Sequence, residues 1–286
     1  MADAAKLPVW RTVYDAHVIT IENFLTLLRV GWVWVLLLAV TDAALHWFLW
    51  PWEEAAIAQG GSGSMSLLLL STYVWTLFGA CVAVPWHRLV LKGDVITAGG
   101  MWPLAKDIGR YISWALFLTL FILGPFLLAL FAIETNLTGS VDGLVADQSE
   151  VPAGATDPAT WPCLICAGAL LIPISLLAYV PVRLSLVLPA IALSRHDFGA
   201  GDSWRATRWS FWRLYLGYFL TMTATFVLLA FALSLTGLDE VRTREIAVRD
   251  ALIADTILFL AGMFTVTYMS LAYRHLVEDP ATMSAQ

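Results

Sequence analysis

Charge is scarce in this chain. Only 13% of its 286 residues are Asp, Glu, Lys or Arg, about half the share of a soluble globular protein. The length would suit one or two soluble domains, but no polar stretch is long enough to build one. Cysteine is scarcer still. Cys81, Cys163 and Cys166 are too few for a disulfide framework. Metal-ligand clusters, a P-loop and a dinucleotide fingerprint are missing from the sequence, so no cofactor is expected. A net charge of −6, segregated loop by loop, says little about a partner; no nucleic-acid partner is expected. The N-terminal segment lacks the marks of a signal peptide. Residues 2–29 contain Asp3, Asp15 and Glu22 and no small-residue cleavage site after a short apolar core, so the first span is expected to remain in the mature chain.

Apolar residues fill the space that charge leaves. They make up 59% of the chain, and the mean hydropathy is +0.76. A helix needs ~20 apolar residues to cross ~30 Å of hydrocarbon. Six stretches satisfy this, at about 30–52, 66–86, 111–133, 161–193, 214–235 and 252–273. The expected fold class is therefore all-α: a polytopic membrane bundle of six transmembrane helices. Residues 1–29 form a cytosolic N-terminal segment, 30–275 the membrane domain and 276–286 a cytosolic tail. Within the first segment Val9, Val13, His17, Ile21, Phe24 and Leu28 recur at helical spacing. That pattern suits a helix lying in the headgroup layer or a short soluble helix packed on the loops.

The connections alternate in charge. The first is Gly/Ser-rich without a base, and the third, 134–161, has five acids and no base. The second carries Arg88, Lys92, Lys106 and Arg110; the fourth carries Arg195, Arg205, Arg208 and Arg213. With both termini and the even loops in the cytosol, 13 of the 16 basic residues lie inside. This bias sets orientation, so the expectation is N-in, C-in in a bacterial inner membrane. Trp32, Trp34, Trp47, Trp50, Trp52, Trp86, Trp161 and Trp212 cluster at expected span ends, as in an interfacial belt.

Val84-Pro85-Trp86-His87 matches Val180-Pro181-Val182-Arg183, and each block closes an out-to-in span ahead of a basic loop. Spans 2–3 and 4–5 are thus a possible parallel repeat; chance similarity between apolar segments is the alternative. The run Arg183 to Leu193 (RLSLVLPAIAL), followed by Gly201-Asp202-Ser203-Trp204-Arg205-Ala206-Thr207 and Phe211-Trp212-Arg213-Leu214, resembles a motif of uncharacterised bacterial multi-pass proteins. These are similar to the membrane domain fused to some glycerophosphodiester phosphodiesterases and to YciC-like inner-membrane proteins. The Pro85 to Asp94 run resembles the first-half motif of alphaproteobacterial members. The resemblance covers about residues 80–225 and implies architecture, not activity, because the chain carries no phosphodiesterase domain.

Four groups of residues could carry function. Asp42 and His46 lie one helical turn apart in the first span, and Asp255 enters the sixth to a similar depth. An acid there must face protein or water, because lipid exposure costs roughly 2.5 kcal/mol or more. The cluster reads as a proton or ion relay, or as a buried clamp between spans 1 and 6. Arg205, Arg208 and Arg213, with Trp204, Trp209 and Trp212, suit anionic lipid headgroups or plain topology anchoring, and Arg183 suits a snorkelling headgroup contact. Cys163-x-x-Cys166 suits a membrane thiol oxidoreductase or simple packing. Gly60-Gly61-Ser62-Gly63 has the GxSG form of rhomboid-type proteases but lacks the later-span histidine. The leading expectation is a non-enzymatic integral membrane protein, lipid-associated or an accessory subunit of a larger membrane complex. The alternatives are a proton- or ion-coupled carrier using Asp42, His46 and Asp255, and an oxidoreductase using Cys163 and Cys166.

Overall fold

Asn23 divides the first two helices. Its side-chain amide donates to the Ile19 carbonyl at 2.9 Å and closes α1 (Val9–Glu22); its own carbonyl accepts the Leu27 amide and opens α2 (Phe24–Ala58). A computed structural model describes residues 7–58, 65–121, 124, 178–235 and 244–278. It continues with α3 (Met65–Lys92), 3-10 turns at Ala98–Gly100 and Trp102–Leu104, and α4 (105–121). After these come α5 (Tyr179–Leu184), α6 (Val187–Ala192), α7 (Ala200–Ala206), α8 (Phe211–Leu235) and α9 (Arg244–Tyr273), which ends in a wider turn, Arg274–Glu278. There is no strand among the described residues. Among the described residues three helical segments are long and apolar enough to cross a membrane: Phe24–Trp52, Leu69–Lys92 and Arg244–Glu278. The 35 residues of α2 make a rod of about 50 Å, more than the ~30 Å of hydrocarbon requires.

Contacts fix the directions of these helices. Along α2 and α3, Asp42 meets Ser71 and Trp34 meets Phe78, so the two run antiparallel. Along α3 and α9, Trp75 meets Asp255, Trp86 meets Thr267 and His87 meets Ser270, so these run parallel. Tyr268 of α9 packs on the first turns of α8. One end of the bundle, called basal here, therefore holds the finish of α3 and α9 and the start of α2 and α8.

α1 crosses this basal end. The Leu7 carbonyl before it accepts from Arg213, whose own carbonyl accepts from Tyr268; at its far end the Thr20 hydroxyl bonds Thr267. One end is thus held by α8 and the other by α9. The face it buries is Val9, Thr12, Ala16 and Thr20, not the larger apolar set that the spacing picks out. Small side chains let two helices approach closely, and Trp10, Tyr14 and Ile21 are left on the outside.

The fourth apolar run is broken where it is described. α5 and α6 are separated at Ser185 and Leu186, and Ser185 turns its hydroxyl back to the Val182 carbonyl. Pro189 cannot donate the helical amide at its position. The residues Leu186, Ala190, Ile191 and Ala192 are wholly buried, so the RLSLVLPAIAL run is protein core. α6 ends with the Ser194 amide on the Ile191 carbonyl and the Arg195 amide on that of Ala190. This is the Schellman arrangement, usually closed by glycine. Ser194 holds the left-handed position at φ 59° and bonds Asp107 at 2.6 Å.

The chain divides into two compact units, residues 1–116 with 182–286, and 117–181. In the second, the rings of Phe117 and Phe121 lie 6.1 Å apart on consecutive turns of α4.

Candidate functional site

Three helices bring one polar cluster together. Asp42 of α2 is 2% exposed, and one of its oxygens accepts from the Ser71 hydroxyl of α3. Its other oxygen lies 3.6 Å from His46 Nε2, one turn along the same helix. Asp255 of α9 is 7% exposed and accepts from the indole of Trp75, one turn beyond Ser71, at 3.0 Å. Ser71 and Trp75 lie one turn apart on α3, so the two carboxyl groups they hold are brought to neighbouring positions. Two polar atoms in the cluster are buried without a hydrogen-bond partner: Asp255 Oδ2 and His46 Nδ1. The three residues singled out in the sequence are therefore brought to one place. Thr256, a candidate partner by proximity, instead returns its hydroxyl to the Leu252 carbonyl. Ser71 and Trp75 escape sequence reasoning because both are ordinary in a membrane span; their i, i+4 spacing on a single face is the signal that was there.

A second network lies near the basal end. The Trp86 indole donates to Thr267 at 2.7 Å, and Thr267 meets Thr20 of α1 at 2.8 Å. His87 is wholly buried between Ser270 at 2.7 Å and Tyr111 at 3.2 Å. These bonds tie α1, α3, α4 and α9 together near the basal end. Among the described residues no group of three His, Cys, Asp or Glu side chains could hold a metal.

The arginines of the basal end fall into two sets. Arg183 is 4% exposed. It donates to the Thr207 hydroxyl at 3.2 Å and to the Trp204 carbonyl, and its guanidinium stacks 3.9 Å over the Trp204 ring. Ser203 returns a bond to the Arg183 carbonyl at 2.6 Å. The motif segments at 183–193 and 201–207 are thus two halves of one internal clamp, and Arg183 is spent inside the protein. Arg213 donates to the Leu7 carbonyl, Arg88 to that of Ala192, and Arg274 to those of Val90 and Leu91. Arg205 and Arg208 are exposed; the first pairs with Asp202 and the second lies 5.1 Å over the Trp209 ring. Asp202 accepts the Gly199 amide at 2.9 Å, and that bond, with Arg205 beside it, holds its carboxyl below the ordinary range. Cys163 and Cys166 lie outside the described residues, as does Ser62. Cys81 is buried in α3 as a free thiol.

Comparison with family models, with curated proteins and with solved structures found no match to this chain.

Proposed function

We propose that the chain is a six-span protein of a bacterial inner membrane, with both termini in the cytosol, that works without catalysis as a lipid-associated or accessory subunit. The observation that carries this reading is the chemistry of the basal end. Arg205 and Arg208 face outward beside Trp209 and Trp212, while Trp10 and Tyr14 project from the crossing helix α1. Exposed indoles and guanidiniums in one layer suit the boundary between acyl chains and phosphates. Arg88, Arg183, Arg213 and Arg274 there donate instead to backbone carbonyls. The resemblance of residues 80–225 to bacterial multi-pass membrane domains supports the architecture in this reading.

One spacing supports the parallel repeat. His87 contacts Tyr111, 24 residues on; Arg183, at the matching place in its block, contacts Thr207, also 24 residues on.

The test is lipid retention. Anionic attraction is worth about 1 kcal/mol per basic residue near the surface. Arg205→Ala with Arg208→Ala should therefore weaken anionic-lipid binding by about 30-fold at 1.4 kcal/mol per decade. Native mass spectrometry of the full chain in mild detergent, titrated with phosphatidylglycerol and with phosphatidylcholine, reads this directly. Equal retention of both lipids by wild type and variant would defeat the lipid-associated reading.

A further inference from the structure

We propose that Asp42 and Asp255 form a proton-binding site in which the two carboxyl groups share one proton and so join α2 to α9. This goes beyond the lipid-associated reading and does not depend on it.

Donors and acceptors can be counted at the cluster. Two ionised carboxylates offer four acceptor oxygens and no donor. Ser71 supplies a hydroxyl to one Asp42 oxygen and Trp75 an N–H to one Asp255 oxygen. His46 Nε2 stands 3.6 Å from the second Asp42 oxygen, too far for a hydrogen bond. The second Asp255 oxygen is buried with nothing donating to it.

The charges do not balance either. Among the described residues neither carboxyl is paired with a lysine or arginine. On α9 the nearest cations are occupied: Arg244 lies 4.6 Å over the Trp47 ring and Arg249 pairs with Asp250 at 3.1 Å. α3 offers Ser71, Thr72 and Trp75 at this level, all uncharged, and α2 offers His46. Two like charges in contact and out of water repel strongly, and carboxyl pairs so placed hold one proton between them. A single proton, taken from water onto either carboxylate, removes one charge. It also turns one acceptor into the donor that Asp255 Oδ2 lacks.

The experiment uses the full chain in lipid nanodiscs at neutral pH, with aspartate labelled in its side-chain carboxyl by carbon-13. Infrared spectra should show a carboxylic-acid carbonyl band that moves with the label and with deuterium oxide. The band should vanish in Asp42→Asn and in Asp255→Asn. Asp255→Asn should keep the wild-type melting temperature, because its amide donates where the proton did, whereas Asp255→Leu should melt lower. A wild-type spectrum without a labelled acid band overturns the proposal whether or not the variants fold, and so does a band that persists in both Asn variants. A melting temperature raised by sodium or potassium without an acid band would put a metal cation between the carboxylates and overturn it equally.

Discussion

Gly217 is the position where one methyl group should do most harm. In a helix interior alanine is favoured over glycine by about 1 kcal/mol, so propensity alone predicts that Gly217→Ala stabilises α8. The packing predicts the reverse. A Cβ at residue 217 would lie 1.9 Å from the Tyr268 oxygen and 2.1 Å from Cζ of its ring. Carbon contacts are comfortable near 3.5–4 Å, so the ring must move by well over 1 Å. It has little room to do so, because Tyr268 is wholly buried and its hydroxyl is held by the Arg213 and Leu214 carbonyls at 3.3 and 3.2 Å. Overpacking costs about 1–3 kcal/mol, and a stranded buried hydroxyl about 1–3 kcal/mol more. Set against the helix gain, the net loss is about 1–5 kcal/mol. At about 2–4 °C per kcal/mol for a domain of this size, the melting temperature should fall by about 2–20 °C. Gly109→Ala in α4 is the matched control: nothing lies within 4 Å of its Cβ position, so propensity should act alone and the variant should melt no lower than wild type. Both are read by thermal unfolding in one detergent. If Gly217→Ala melts with or above Gly109→Ala, the close contact between α8 and α9 is not as described.

The remaining predictions are shorter. Asp42→Asn should be tolerated while Asp42→Leu lowers the melting temperature, because only the amide keeps an acceptor for Ser71. Arg274→Ala should cost about 1–3 kcal/mol by stranding the Val90 and Leu91 carbonyls, seen as a lower unfolding midpoint. In a background without the native cysteines, Ser62→Cys and Ser149→Cys should react with an impermeant thiol reagent from outside and Ser194→Cys only after lysis; external labelling at 194 would reverse the orientation. Asp202's carboxyl is held low in the folded chain, so its bond to Gly199 is complete above the ordinary carboxylate range and is lost only as pH falls through the lowered value. The Gly199 amide chemical shift should be flat from neutral to about pH 5 and move only in stronger acid.

How much of this was legible depended on whether a residue broke a pattern. Asp42 and His46 stood out because a polar pair inside an apolar run must find a protein partner, and the cluster with Asp255 is where they find it. Ser71 and Trp75 broke no pattern, since hydroxyls and indoles are common in spans, yet they supply two of its hydrogen bonds. For α1 the period was right, and the side that packs on protein is the one with the small residues. Periodicity finds a face by hydropathy, but the partner helix decides which face it takes. Here it took Thr12, Ala16 and Thr20, because small residues allow the approach that sets Thr20 against Thr267. The apolar run through Leu193 hid its break for a related reason. Hydropathy is blind to hydrogen bonding, and the turn at Ser185 is made by a side chain returning to the backbone.

The arginines show a deeper limit of charge counting. A bias of basic residues toward one set of loops is enough to orient a membrane chain, and any cation would serve for that. Yet the chain has thirteen arginines and three lysines. The same end of the bundle is where α3 and α9 finish, with α6 and α7 ending among the arginines that follow α3. Each such terminus leaves carbonyls unbonded at the negative end of a helix dipole. Arg274 takes those of α3, Arg88 that of α6 and Arg183 that of α7. A guanidinium offers five donors in a fixed plane, so it can cap a carbonyl and still stack or pair elsewhere, as Arg183 does on Trp204 and Arg88 with Asp94. Lysine would satisfy the topology and forgo that second bond. The preference for arginine therefore follows from helix termini that must be closed at the basal end, a requirement set by packing that no count of charges along the sequence contains.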